Sequence, residues 1–264
     1  MPELKKERWG GAIKKVGAEV ECVIEFKPAY PSYLNVPWDS GDDPTINFSS
    51  LGRKKPEHVR NSVEYRSVPW PGPVEARKDL VVLWRKSRLK ANRSCGFHVH
   101  VSFKNRKLAR LLFCKDFVRD FQKFASPENR PDNKVAVYAR WPSDYKNGDV
   151  YNEPYSTNEL KSGVIEDFAA RIFDKETGYG CPHRARMVNY LSFAKHGTIE
   201  FRLFRVPKTG VEAFSCVKEL VGFVNEWVVK RKELVAARQA AMITASMPGT
   251  IYKKKREVIK VTST

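Results

Sequence analysis

The sequence has no run of about 18 apolar residues, the length a membrane-spanning helix requires, so no such span and no membrane partner is expected. It also lacks paired cysteines. Cys22, Cys95, Cys114, Cys181 and Cys216 are odd in number, widely scattered and never in a Cys-x-x-Cys arrangement. That spacing speaks against a structural zinc knuckle and predicts reduced thiols in a cytoplasmic compartment. The stretch Met1 to Lys15 is charged and has no apolar segment, so a secretory leader is not expected. No internal repeat and no low-complexity linker occurs, which predicts a single domain over residues 1–250 followed by a basic tail, 251–264. Histidine is scarce, with five in 264 residues.

Acidic residues are few relative to basic ones: 30 Asp and Glu against 48 Lys and Arg, a net charge of +18. A charge of that size concentrates anionic partners such as nucleotides, nucleic acids or acidic substrates around the chain, without identifying which. Hydrophobic residues make up 42% and aromatic residues 12%, enough for a folded core. The local clusters Arg85-Lys86-Ser87-Arg88 and Lys253-Lys254-Lys255-Arg256 read more simply as solvated surface than as dedicated phosphate sites.

Two of the five histidines sit in one short stretch, Cys95-Gly96-Phe97-His98-Val99-His100-Val101-Ser102-Phe103. Phe97, Val99, Val101 and Phe103 alternate with His98, His100 and Ser102, the period of a half-buried strand with two imidazoles side by side on its polar face. Neutral imidazole is the commonest nitrogen ligand for metals, although two histidines facing water would give the same pattern. Val16 to Phe26 alternates in the same way. Ala18, Val20, Cys22, Ile24 and Phe26 form an apolar row, opposite Glu19, Glu21 and Glu25. Carboxylates lined up on one strand face repel one another unless cations or bases lie among them. Gly17, just before them, suggests close backbone approach. In Asn61 to Val68, Val63, Tyr65 and Ser67 alternate with Glu64, Arg66 and Val68. Across Thr198 to Phe204, Ile199, Phe201 and Leu203 face one way, and Thr198, Glu200, Arg202 and Phe204 the other.

Helical spacing predicts amphipathic helices over 74–91, 107–124, 160–173 and 210–245, the second with an apolar stripe of Leu108, Leu111, Leu112, Phe117, Phe121 and Phe124. Leu191-Ser192-Phe193, followed by His196-Gly197, reads as the first strand and turn of a hairpin leading to Glu200. Residues 28–56 and 126–158 are rich in Pro, Gly, Asp, Asn and Ser and read as long irregular loops, where specificity is expected to reside. Trp38-Asp39-Ser40 and Asp42-Asp43 are the polar candidates in the first of them.

Four segments therefore present acids, histidines or arginines on a strand face, in the order Gly17-x-Glu19-x-Glu21, Glu64 ahead of Ser67 and Pro69, Cys95-Gly96-Phe97-His98-Val99-His100, and Gly197-Thr198-Ile199-Glu200-Phe201-Arg202. Arg184, Arg186 and Asn189 precede the last of these words. Together they resemble the carboxylate–amine ligases of the glutamine synthetase-like superfamily, most closely its amidoligase branch, over residues 16 to about 225. The resemblance implies an α+β fold in which a curved antiparallel sheet carries the active site on its concave face and helices pack on the other. It implies an enzyme that uses ATP with Mg²⁺ or Mn²⁺ to phosphorylate a substrate carboxylate, after which an amine displaces phosphate. By that resemblance Glu19, Glu21, Glu64, His98 and Glu200 are metal ligands and His100 contacts the nucleotide phosphates. Arg202 stabilises the transferring phosphoryl group, with Glu200 and Glu64 beside it in the catalytic set. Arg184, Arg186 and Asn189 hold substrate carboxylate or nucleotide. Arg66, next but one to Glu64, adds a cation to the same strand face.

The residue chemistry is consistent with this expectation, because hard divalent ions take carboxylate oxygens and phosphoryl transfer relies on positioning and electrostatics. Two other functions fit parts of the pattern. A metal-dependent hydrolase could use the His-x-His and carboxylate set to activate water. A non-catalytic nucleic-acid-binding or assembly protein could reuse a ligase-like fold, and the +18 charge leaves nucleic acid, or a carboxylate carried on an anionic macromolecule, among the expected partners. The carboxylate, the amine and the oligomeric state are left open by the residues alone.

Overall fold

Alternating strands with one apolar row need a partner layer, and the helical stripes supply it. A computed structural model describes residues 7–24, 38–42, 61–87, 89–91, 95–124 and 187–246. In chain order these form β1 (Ile13–Ile24), β2 (Trp38–Asp42), β3 (Asn61–Ser67), α1 (Pro73–Ser87), β4 (Gly96–Phe103), α2 (Arg106–Arg110), α3 (Lys115–Phe124), β5 (Val188–Asn189), α4 (Leu191–His196), β6 (Thr198–Arg205) and α5 (Gly210–Ser246). The fold is α+β. Its six-stranded sheet has the order β2-β3-β1-β4-β6-β5, with every neighbouring pair antiparallel and the sheet not closed. No described helix is long and apolar enough to cross a membrane.

By its contacts the chain divides into Met1–Val228 and Val229–Thr264, the boundary falling within α5. The first unit holds the sheet and the core. The second is described as far as Ser246, a helical segment whose Leu234, Met242 and Ile243 are exposed.

Register puts the chemistry on one face. Glu19 pairs with Arg66 on one side and His98 on the other; Glu21 pairs with Glu64, Gly17 with His100, and His100 with Glu200. Directly opposed residues share a face, so the acids, imidazoles and arginines of four strands converge. The other face is apolar. Val16, Ala18, Val20, Cys22, Val63, Tyr65, Phe97, Val99, Val101, Ile199 and Phe201 are buried there with Leu80 and Leu83 of α1, Phe117 and Phe121 of α3, and Val217, Leu220 and Val224 of α5. Phe117 is a hub, with ring centroids 6.0 Å from Phe121, 6.2 Å from Phe201, 6.0 Å from Phe223 and 5.1 Å from Trp227. Burial pushes the Cys22 thiol up, with Cys95 and Glu21 adding to the effect, so the thiolate is suppressed.

Several elements differ from the sequence expectation. Within the loop expected over 28–56, Trp38–Asp42 forms an edge strand on β3, and Trp38 packs edge-on against Trp70 at 5.8 Å. Trp38 is the one apolar residue among its five, so no apolar row marks the segment as a strand. The single helix expected over 107–124 is two. Tight turns at Leu111–Cys114 separate them, with Leu112 N–H donating to Ala109 O at 3.0 Å and Phe113 N–H to Arg110 O at 3.1 Å. The break lets Leu112 and Phe113 both be buried: Tyr190 Oη donates to Leu112 O at 2.6 Å, and the Phe113 ring packs on Tyr190 and Phe193.

The hairpin expected through Leu191-Ser192-Phe193 is instead the short helix α4. Asn189 Oδ1 accepts from Leu191 N–H at 3.1 Å at its start, and Gly197 closes it with φ +69°. That positive φ is what a helix C-terminus asks of glycine, and a three-residue apolar run does not distinguish helix from strand. Finally, Phe204 lies in the core, not on the polar face. The pairing Phe97–Phe204 followed by Val99–Phe201 shows an extra residue in β6, a bulge that reverses the alternation after Arg202. The helix expected over 160–173, the loop 126–158, Glu25, Phe26 and the tail 251–264 lie outside the described residues.

Phe117→Ala would leave a cavity among four aromatic neighbours. The expected loss is about 3–5 kcal/mol of folding stability, measured by chemical denaturation.

Candidate active site

Carboxylates buried on a strand face have to be neutralised, and this face shows how. Glu21 is 2% exposed, His98 1% and Glu200 4%. Glu21 Oε2 accepts the Gly96 backbone N–H at 2.7 Å, and its Oε1 lies 3.6 Å from Arg202 Nη2. Glu200 Oε1 accepts from Arg202 Nη1 at 2.6 Å, and Oε2 accepts from Asn189 Nδ2, also at 2.6 Å. Asn189 stands opposite Glu200 across β5 and β6, so its amide is divided between Glu200 and the first turn of α4. It therefore acts as a positioning residue for Glu200.

The imidazoles fill the middle. His98 Nδ1 is 3.6 Å from Glu19 Oε2 and 3.5 Å from Glu200 Oε1, and its Nε2 is 3.6 Å from Glu21 Oε1. His100 Nε2 is 3.2 Å from Glu19 Oε1. None of these three ring nitrogens makes a hydrogen bond of good geometry, although all are buried. Two donors bound to one ion at about 2.1 Å and held at tetrahedral or octahedral angles stand roughly 3.0–3.4 Å apart, close to the separations here. Donor atoms of Glu19, His100 and Glu200 all lie within 4.8 Å of one another and form a group able to hold a metal ion. Three carboxylates, the buried Glu21 and Glu200 and the partly buried Glu19, face one guanidinium, Arg202. With neutral imidazoles, two negative charges remain, which one divalent cation would balance. The donor set fits such an ion.

Electrostatics follow from this crowding. Burial works to raise the Glu19 carboxyl, but the imidazoles of His100 and His98 outweigh it and hold the group well below the usual carboxylate range. Burial likewise opposes ionisation of Glu200, and Arg202 followed by His100 brings it below its ordinary value. Burial works to lower His100, yet Glu19 and Glu200 raise it. Glu64 is different. Burial and then the Glu19 carboxylate push it up to about 7, against the pull of Arg66. Arg66 forms an ion pair with Glu64 and lies 4.0 Å from Glu19, so the cation expected on this strand face is paired with acids.

Glu19, Glu21, Glu64, His98, His100, Asn189, Glu200 and Arg202 are thus brought together on one face, and Arg184 and Arg186 lie outside the described residues. Asp39, opposite Arg66 on β2, contributes to holding that guanidinium protonated. The residue pattern did not single out Ser192 and Thr198, whose hydroxyls stand beside His100, or Gly96 as a steric necessity. A Cβ at Gly96 would meet His98 Nε2 at 2.6 Å and Glu21 Oε2 at 3.1 Å. At Gly17, where close approach was expected, a Cβ would meet Ser67 Oγ at an ordinary 3.5 Å.

Gly96→Ala should therefore displace the His98 ring while keeping the sheet. The expected result is at least about a tenfold loss of divalent-ion affinity by calorimetry, with an unchanged far-ultraviolet circular dichroism spectrum.

Compared with known proteins, the chain matches no family model and no curated sequence, and its chemistry is read from its own residues.

Proposed function

We propose that the chain is an ATP-dependent ligase, working with Mg²⁺ or Mn²⁺, that joins a carboxylate to an amine through an acyl phosphate. The observation carrying this reading is the convergence of Glu19, His98, His100, Glu200 and Arg202 on the polar face of an open antiparallel sheet whose other face is covered by helices. The glutamine synthetase-like form of the α+β fold, with the site on a concave face, belongs to the same proposal.

A divalent ion held by Glu19, His100 and Glu200 would supply fixed positive charge for the phosphate oxygens of ATP. The remaining roles fall to the chain itself. Asn189 and Arg202 fix the two oxygens of Glu200, and the Gly96 N–H fixes Glu21, so the acids are oriented before any ligand arrives. Arg202, 16% exposed, bridges Glu200 and Glu21 and sets a guanidinium at the centre of the acids, where developing phosphoryl charge is stabilised. The net charge of +18 favours an anionic carboxylate substrate, including one carried on a larger polyanion.

The two imidazoles favour a second reading, a metal-dependent hydrolase, because nitrogen donors suit Zn²⁺. Elemental analysis separates the two: stoichiometric zinc in the purified chain supports the hydrolase.

The ligase reading is tested by titrating a non-hydrolysable ATP analogue into the full chain with and without Mg²⁺. Binding is expected only with the ion, and Glu200→Gln should weaken it by at least about tenfold while the fold persists. Ion-independent binding, or binding undiminished in Glu200→Gln, would overturn it.

A further inference from the structure

Strand register orders the polar face in rows. Glu19 stands opposite His98, the next row sets His100 between Gly17 and Glu200, and the row beyond that is Lys15, Ser102 and Thr198. A bulge in β1 fixes this last row. Phe103 is opposite Ile13 and Ser102 opposite Lys15, so Lys14 is the extra residue. Ile13 thereby reaches the core, 1% exposed, while Lys15 stays on the polar face. The Ser102 hydroxyl holds the bulge, accepting from Lys15 N–H at 3.1 Å and donating to Lys15 O at 3.0 Å. Lys104 continues the polar row past Ser102, and its N–H donates to Ala12 O at 3.0 Å. Both lysines are exposed, and among the described residues neither is in an ion pair. Arg66, the exposed cation on β3, is by contrast already paired with Glu64. His196 lies two residues before Thr198, at the same end of the face. Partial burial, then Lys195 and His100, hold its ring below the ordinary value against the pull of Glu19 and Glu200. Cations therefore outweigh acids there, and the neutral ring keeps one N–H to donate.

We propose that Lys15 and Lys104, with the His196 ring beside them, receive a phosphate group of the carboxylate-bearing substrate, which makes that substrate a phosphorylated acid. An ammonium is a compact point charge with three rotatable donors, which matches the distributed charge of a phosphate, whereas a planar carboxylate is better met by a guanidinium fork. The anion site follows from the two lysines and the bulge alone; which reactant it holds rests on the ligase reading. In that reading the nucleotide phosphates are met at the centre by the divalent ion and Arg202. The cations one row beyond His100 and Glu200 then fall to the other reactant, whose carboxylate has to reach the centre.

The test is calorimetric titration of the full chain with inorganic pyrophosphate and, separately, malonate, both with EDTA present so that no divalent ion contributes. The native chain should bind pyrophosphate and bind malonate more weakly. Lys15→Gln with Lys104→Gln should weaken pyrophosphate at least about tenfold with an unchanged circular dichroism spectrum. Lys78→Gln with Lys218→Gln, exposed lysines of α1 and α5, removes the same charge elsewhere and should bind as the native chain does. Equal weakening in the two double variants shows an effect of net charge and overturns the proposal, as does a native chain that binds no pyrophosphate or binds malonate as tightly. A third titration, of the non-hydrolysable ATP analogue with Mg²⁺, separates the reactants. Its affinity should be the same in the Lys15→Gln, Lys104→Gln chain as in the native one, and a matching loss would assign the lysines to the nucleotide and overturn the substrate assignment. A native chain that fails to bind the analogue, yet loses pyrophosphate only in the Lys15→Gln, Lys104→Gln variant, upholds the anion site and instead removes the ligase reading.

Discussion

Neutralising buried carboxylates on the polar face of the sheet is the constraint around which this molecule is built. Each uncompensated buried ion costs several kcal/mol, and Glu21 and Glu200 are both nearly inaccessible to water. The compensation comes from distant parts of the chain. Gly96 contributes a backbone N–H to Glu21, Arg202 a guanidinium to Glu21 and Glu200, and Asn189 an amide to Glu200. Local features of the backbone serve the same end. The absence of a side chain at Gly96 leaves room for the His98 ring, and the bulge in β6 follows Arg202, so the arginine stays on the polar face while Phe204 returns to the core.

The apolar face makes this arrangement rigid. Aromatic residues of α3 and α5 interlock over Phe201, one residue from Glu200 on the strand, and Trp84 of α1 packs on Phe97, one residue from His98. Movement of a polar-face side chain through its own backbone is therefore resisted by the packing behind it. A site that must hold several like charges close together benefits from such support, because relaxation would separate them.

The alternation of β1, β3, β4 and the start of β6 is legible in the residues, and with it the membership of the polar face: Glu19, Glu21, Glu64, His98, His100 and Glu200 each follow from a period of two. The misreadings share a cause. β2 has a single apolar residue and α4 a short apolar run, so periodicity is silent in both, and packing of Trp38 on Trp70, or of Phe193 on Phe113, settles the conformation. The break between α2 and α3 lies in a sequence with good helical spacing throughout, and it exists because Leu112 O receives the Tyr190 hydroxyl from a segment 78 residues away. The bulge at β6 leaves only one local trace, the apolar Phe204 at a position that alternation assigns to the polar face, and its place in the strand is fixed by pairing with β4.

What the sequence by itself determined is which residues share a face, because side-chain direction in a strand follows from position alone. Only the tertiary structure decided who neutralises whom. Glu21 could not be known to meet Arg202, nor Ser192 and Thr198 to stand behind His100. Those pairings depend on strand order and register between segments far apart in the chain. The long-range packing of the apolar face sets that register, and local propensity carries no information about it.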